Sequence, residues 1–278
     1  MAETTRHDTE ASGIDLDEHS EAVALARARA EIYGLLAAVF DGDTETLAAA
    51  LEDDVFVRLA DALDADIETG AFDRPAPDRE TLRIGYDNLF AVPGPHYVPP
   101  FASAHADEPS ESFESDSPYH TEGEAGEFLG DPAAAAATAH AAAGFEPERG
   151  DGVPDHLAVS FEFMRALCER EAELLTGGGT DGDDGDLETV RIARAVTLER
   201  LTWLDPFTQA LEDSDAVEGL FAALADFARE FTARDREGAV PGRNIINNDI
   251  TDKKMATDRK TKAIYRGTGE TSTKNYVD

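Results

Sequence analysis

The chain has 278 residues, of which 59 are acidic and 24 basic, giving a formal net charge of −35 and a pI near 4.3. A 41% share of hydrophobic residues supports a buried core in one large domain or two small ones, and the single cysteine excludes an internal disulfide framework and any CxxC metal or redox motif. Ala and Leu abound, Val/Ile/Thr alternation is scarce, and no apolar run reaches the ~20 residues of a membrane span, so an all-α chain without stable membrane insertion is expected.

Residues 1–19 are acidic and polar, with no Arg-rich start or apolar stretch of a secretory signal, and read as a disordered arm of a cytoplasmic protein. Ser20 opens a helix to Phe40, which Asp41-Gly42-Asp43 stops. Short helices are predicted from Thr44 to Leu51 and from Asp54 to Leu63, followed by a turn-rich link over 64–77. Asp78 then caps a helix carrying Leu82, Tyr86, Leu89 and Phe90. Residues 91–120 hold six prolines and no helical period, and long ordered loops are often functional. Their second half, 106–118, is acidic and Ser-rich and reads as a mobile insertion. Helix resumes near Thr121, breaks at Gly130-Asp131-Pro132 and continues through Ala133–Ala143.

The stretch from Val153 to Met164 is the most informative. Pro154 and Asp155 signal a helix start, with the Asp carboxylate as N-cap. Leu157, Phe161, Met164, Cys168 and Leu175 then recur at helical spacing over about five turns at 3.6 residues per turn. Arg165, Glu169 and Glu173 mark the opposite, solvated face. After the 177–185 Gly/Asp linker, helices are predicted for 186–203, 207–211 and 216–234. From residue 241 onward the composition reverses sign: all five lysines lie there, with 8 basic against 5 acidic residues, and this tail reads as disordered.

Familiar chemistry is missing from the sequence. There is no GxxxxGK loop, no GxSxG elbow and no HExxH pair, and His96, His105, His120, His140 and His156 share no metal-ligand spacing. The acidic run 181–186 lacks the glycine and glutamate of a calcium loop, with Ile192 at its twelfth position. No catalytic residue, metal or cofactor is predicted. Acidic residues are spread over every polar segment, as in a surface adapted to high salt. At about 1 M salt the Debye length is about 3 Å, so recognition would rest on direct contact and apolar burial.

Pro154-Asp155-His156-Leu157, with the following Phe161-Glu162-Phe163-Met164, resembles the signature helix of the TorD/DmsD/NarJ family of molybdoenzyme chaperones. A second motif upstream fits the same family: Tyr86-Asp87-Asn88-Leu89-Phe90, then Pro93, Pro95, Pro99-Pro100-Phe101 and Ser103. Tyr86 and Phe101 stand where Trp is common in DmsD-like members. The resemblance implies a single helical-bundle domain over 20–240 between the arm and the 241–278 tail. It implies a monomeric or homodimeric cytoplasmic chaperone, not an enzyme. Its partner would be the twin-arginine signal peptide and catalytic subunit of a molybdenum oxidoreductase of the DMSO/TMAO reductase type, with no nucleic acid. A NarJ-like assembly factor for a nitrate reductase subunit without an exported signal is the alternative. By position, Tyr86, Leu89, Phe90, Pro100, Phe101, Asp155 and His156 would line the peptide groove. Each has a plainer role available: Tyr86, Leu89 and Phe90 as core positions of an amphipathic helix, Pro100 and Phe101 as a stiff loop packing one aromatic inward, Asp155 as helix cap, His156 as a surface histidine.

Overall fold

A computed structural model describes residues 8–63, 69–106, 128–177, 183–214 and 219–239. The Thr121 helix start, nearly all of the 106–118 insertion and the basic tail lie outside them, as do residues 1–7 of the predicted arm.

The architecture is all-α. In chain order it comprises α1 (Asp8–Phe40), α2 (Thr44–Glu52), α3 (Val55–Leu63), α4 (Arg79–Tyr86), a π-turn (Asp87–Ala91), a 3-10 turn (Ala102–His105), α5 (Asp131–Ala143), a second 3-10 turn (Gly150–Gly152), α6 (Leu157–Thr176), α7 (Asp183–Arg200), a third 3-10 turn (Leu201–Trp203), α8 (Leu204–Ser214) and α9 (Leu220–Ala239). Helix α1 starts well before the Ser20 expected from sequence: residues 8–19 contain no proline and only Gly13 as a breaker, so nothing interrupts propagation.

Helices α1 and α6 share the largest interface, and α7, α9 and α8 complete the bundle. The predicted α6 stripe of Leu157, Phe161, Met164, Cys168 and Leu175 is buried throughout, while Arg165 pairs with Glu169 at 2.8 Å on the solvated face. Aromatic rings fill the centre. Phe40, at the end of α1, lies 6.1, 6.0 and 6.2 Å from the rings of Phe90, Phe161 and Phe207. Ring pairs at such separations add about 0.5–1.5 kcal/mol each beyond their area burial.

The bundle also buries charge. Asp235 of α9 accepts the Tyr33 hydroxyl at 2.7 Å and pairs with Arg29 at 2.7 Å. Arg194 of α7 reaches Glu171 of α6 at 2.6 Å and Asp235 at 3.7 Å. Removing one member of such a buried group leaves an uncompensated charge, at about 3–5 kcal/mol. This cluster fixes how α1, α6, α7 and α9 meet. Burial, together with the Asp235 carboxylate, pushes the Tyr33 phenol far above its ordinary value.

The remaining ends are locally encoded. Asp78 caps α4 as expected, accepting the Thr81 N–H at 2.9 Å, and Asp43 caps α2 through Thr46 in the same way. The helix after α4 does not stay regular. Its last turn widens into the π-turn, where the Val92 N–H donates to Asp87 O at 2.8 Å. One extra residue in the turn lets the consecutive Leu89 and Phe90 both face the core.

Candidate functional site

Two chain segments meet beside the start of α6, and they are the two motif segments. Phe101 and His156 form an isolated antiparallel bridge. The Ala102 N–H donates to Asp155 O at 3.1 Å, and the Leu157 N–H donates to Pro100 O at 2.9 Å. The Phe101 ring lies 5.5 Å from the His156 ring. The proline-rich loop thus continues as a single extended rung against the residues leading into α6.

Asp155 does not cap α6 in this arrangement. Its side chain is 2% exposed and turns across to the other segment, where Oδ2 accepts the Ser103 N–H at 2.8 Å and the Ser103 hydroxyl at 2.5 Å. The same Ser103 oxygen accepts the Gly130 N–H at 3.1 Å, which anchors the start of α5. His156 is the N-cap instead: its Nδ1 accepts the Ala158 N–H at 3.1 Å, so Nε2 carries the proton. The cap expected at Asp155 and the surface position expected for His156 are thus both overturned: the partner on the distant loop draws Asp155 away, and the buried His156 takes the cap. Burial holds the His156 pKa below its usual value, although the carboxylates of Asp41, Asp155 and Asp151 pull it back up.

A third segment closes the site from the α1–α2 side. Asp41 accepts the Arg149 guanidinium at 3.0 Å and the Gly150 N–H at 2.8 Å. Gly150 has φ +60°, and a Cβ there would lie 2.8 Å from His156 and Val159 carbons. Tyr86 sits across the same junction: its hydroxyl donates to Phe40 O at 3.0 Å, and its ring packs over Gly42 at φ +85°, where a Cβ would come within 2.8 Å. Burial, then Asp41, Asp151 and Asp87, raise the Tyr86 pKa. Asp41 and Asp151 therefore act on both Tyr86 and His156.

The seven sequence-predicted residues are thus drawn together, but not as an open groove. Leu89 and Phe90 belong to the core, Pro100, Asp155 and His156 are buried, and Tyr86 and Phe101 are half-buried. Sequence reasoning missed the apolar groups that do face solvent. Phe128, 60% exposed, packs edge-on against Phe101 with ring centroids 5.6 Å apart, and Leu129 beside it is 53% exposed at φ +60°. Val92 and Ile84 are exposed near the first motif.

Behind Asp155 lies a cavity of about 240 Å³ between α5 and the end of α7. Ala135, Ala136 and Ala139 form one wall, and Phe163, Leu201 and Trp203 another. Asp155, His140 and Arg200, with the hydroxyl residues Ser160 and Thr197, supply its polar groups. Among the described residues, Asp155 Oδ1 is buried with no hydrogen-bond partner. Arg200 has one: its NH1 donates to Ala135 O at 3.0 Å. His140 is packed between Phe145 and Phe163, and burial, then Arg200, lower its pKa. A buried carboxylate oxygen without a partner costs about 1–3 kcal/mol or more, and a cationic ligand group would relieve that cost.

A protein-family model described as "Nitrate reductase delta subunit" matches residues 43–209, more than half of the chain and all of both motif segments. No curated protein and no solved structure matches.

Proposed function

We propose a client for this protein on the premise that it belongs to the nitrate reductase delta subunit family, a family of molybdoenzyme maturation chaperones. The client is the catalytic subunit of a molybdopterin-dependent reductase of the DMSO or TMAO reductase type. The protein binds the twin-arginine signal peptide of that subunit in the cytoplasm and holds the subunit back until its cofactor is in place. Recognition occurs where the two motif segments join. The observation that carries this reading is Asp155, a buried carboxylate with one oxygen bonded to Ser103 and the other unfilled. Carboxylates accept guanidinium groups in charge-assisted bonds. Phe101, Phe128 and Leu129 offer an apolar surface beside it for the hydrophobic part of a signal peptide. No helix among the described residues is long and apolar enough to cross a membrane.

The family's description favours a second reading, in which the client is a nitrate reductase catalytic subunit whose N-terminal segment lacks an exported signal. Calorimetry in molar salt separates the two. A twin-arginine peptide should bind the wild type and lose about tenfold or more in affinity with Asp155→Asn, one charge-assisted contact being worth about 1.5–3 kcal/mol. The substitution is gentle on the fold, since an asparagine carbonyl can still accept both Ser103 bonds. Equal binding by the variant would refute the role of Asp155. Binding of a signal-less nitrate reductase N-terminal peptide, with none of the twin-arginine peptide, would establish the second reading.

A further inference from the structure

We propose that the cavity between α5 and α7 is a receptor for one arginine side chain of the client, entering guanidinium first and ending on Asp155. The proposal deepens the reading above and rests on it for the identity of the peptide.

Size sets the class of ligand. At about 240 Å³ the cavity exceeds the ~150 Å³ that suffices to bind benzene but falls short of the ~300 Å³ at which pockets for drug-sized molecules begin. A single side chain is the ligand group that matches this size. The shape of the chemistry fits arginine in particular. The stem of an arginine is aliphatic, and the walls beside it are the methyl groups of Ala135, Ala136 and Ala139. Its head is a planar cation, and the cavity is lined by Asp155, whose buried Oδ1 has no hydrogen-bond partner, and by the aromatic residues Phe163 and Trp203.

Two other titratable groups line the cavity, and they determine how many cations it admits. His140 has its pKa lowered, so it is neutral at neutral pH and adds no repulsion. Arg200 is a resident cation with an exposed side chain, held at the wall by its bond to Ala135 O. It already occupies the outer position that the second arginine of a pair would approach. One arginine of the pair is buried on Asp155, and the other stays at the rim in solvent. Because Arg200 repels the incoming cation, Arg200→Ala should tighten binding. An anionic ligand would show the opposite sign.

Trp203 is the only tryptophan of the chain, so its fluorescence reports from the cavity wall. Full-length protein in molar salt is titrated with N-acetyl-L-arginine methylamide and, in parallel, with the neutral citrulline analogue. Saturable fluorescence change with the arginine compound alone is expected. Arg200→Ala should bind it several-fold tighter. Ala136→Leu fills the cavity with a good helix former and should weaken it tenfold or more at unchanged helicity, while Ala137→Leu, on the exposed side of α5, should leave it unaltered. A saturable response to both compounds alike, weaker binding in Arg200→Ala, or full binding by folded Ala136→Leu would each overturn the proposal. A twin-arginine peptide that binds wild type and Ala136→Leu equally would remove the cavity and leave the proposed client standing. Binding of the arginine compound without any binding of the peptide would do the reverse.

Discussion

Ser103 is the joint between the two motif segments, and replacing it with alanine tests whether that joint exists. Two bonds disappear in Ser103→Ala: the hydroxyl donated to Asp155 Oδ2, and the Ser103 oxygen that accepts the Gly130 N–H. The backbone bond from Ser103 N–H to Oδ2 survives. A hydrogen bond to a charged group contributes about 1.5–3 kcal/mol, and an orphaned buried donor costs about 1–3 kcal/mol. The two are not additive, because the first turn of α5 can shift to rehydrate Gly130, so a loss of about 2–4 kcal/mol is expected. Urea unfolding in molar potassium chloride, read as a change in midpoint at constant slope, measures it. A double-mutant cycle with Asp155→Ala, which removes the acceptor of both Ser103 bonds, should return a coupling of about 1–2 kcal/mol. A single-variant loss below about 0.5 kcal/mol, with no coupling, would mean that Ser103 and Asp155 do not meet and that the two segments are not joined as described.

Gly150→Ala forces a Cβ to within 2.8 Å of His156 and Val159 at a backbone φ of +60°; strain and overpacking together should remove about 2–4 kcal/mol, measured by the same urea titration. His105, His140 and His156 all have pKa values lowered chiefly by burial. Stability should therefore be full above the ordinary histidine value of about 6.5 and fall as pH drops through and below it, and His140→Phe should flatten that decline. Cys168 is buried and its thiol is pushed up to about 12, so it should react with a thiol reagent only at the rate of unfolding; fast labelling of the native protein would contradict the packing of α6.

Helices were legible where the pattern is local. The α6 stripe, the Asp78 cap and the α1 terminus at Phe40 follow from residues within a few turns of each other. Apart from the early start of α1, the misreadings involve distant partners. Asp155 looks like a cap in sequence because nothing local points to Ser103, 52 positions away. Asp235 likewise carries no local sign of burial, yet the hydroxyl of Tyr33, 202 positions earlier, donates to it in the core. The π-turn left no signal in periodicity, because the burial of both Leu89 and Phe90 is imposed by the rings of Phe40, Phe207 and Phe221 packed around Phe90. The site was legible as a set of residues and not as a surface: resemblance gathered the right segments, while the burial of Pro100, Asp155 and His156 could be known only from packing. A better signal for the cavity was available in the Ala133–Ala143 run, since a helix face of methyl groups seldom fills the space a bundle leaves.

The rung between Phe101 and His156 also has a consequence for the order of events during folding. Joining Ser103 to Asp155 closes a loop of 52 positions, an entropic cost of about 3–4 kcal/mol before its constant term. Local helices such as α4 and α6 can form without meeting that cost; the joint cannot. The joined face is then among the last parts of the molecule to be assembled and among the first to open, as a subglobal unit that detaches while the α1–α6 core persists. Hydrogen exchange should find the Ala102, Ser103 and Leu157 amides less protected than those in the middle of α6. If the proposed client binds across the joint, it should slow that opening and be recorded as added protection of these amides.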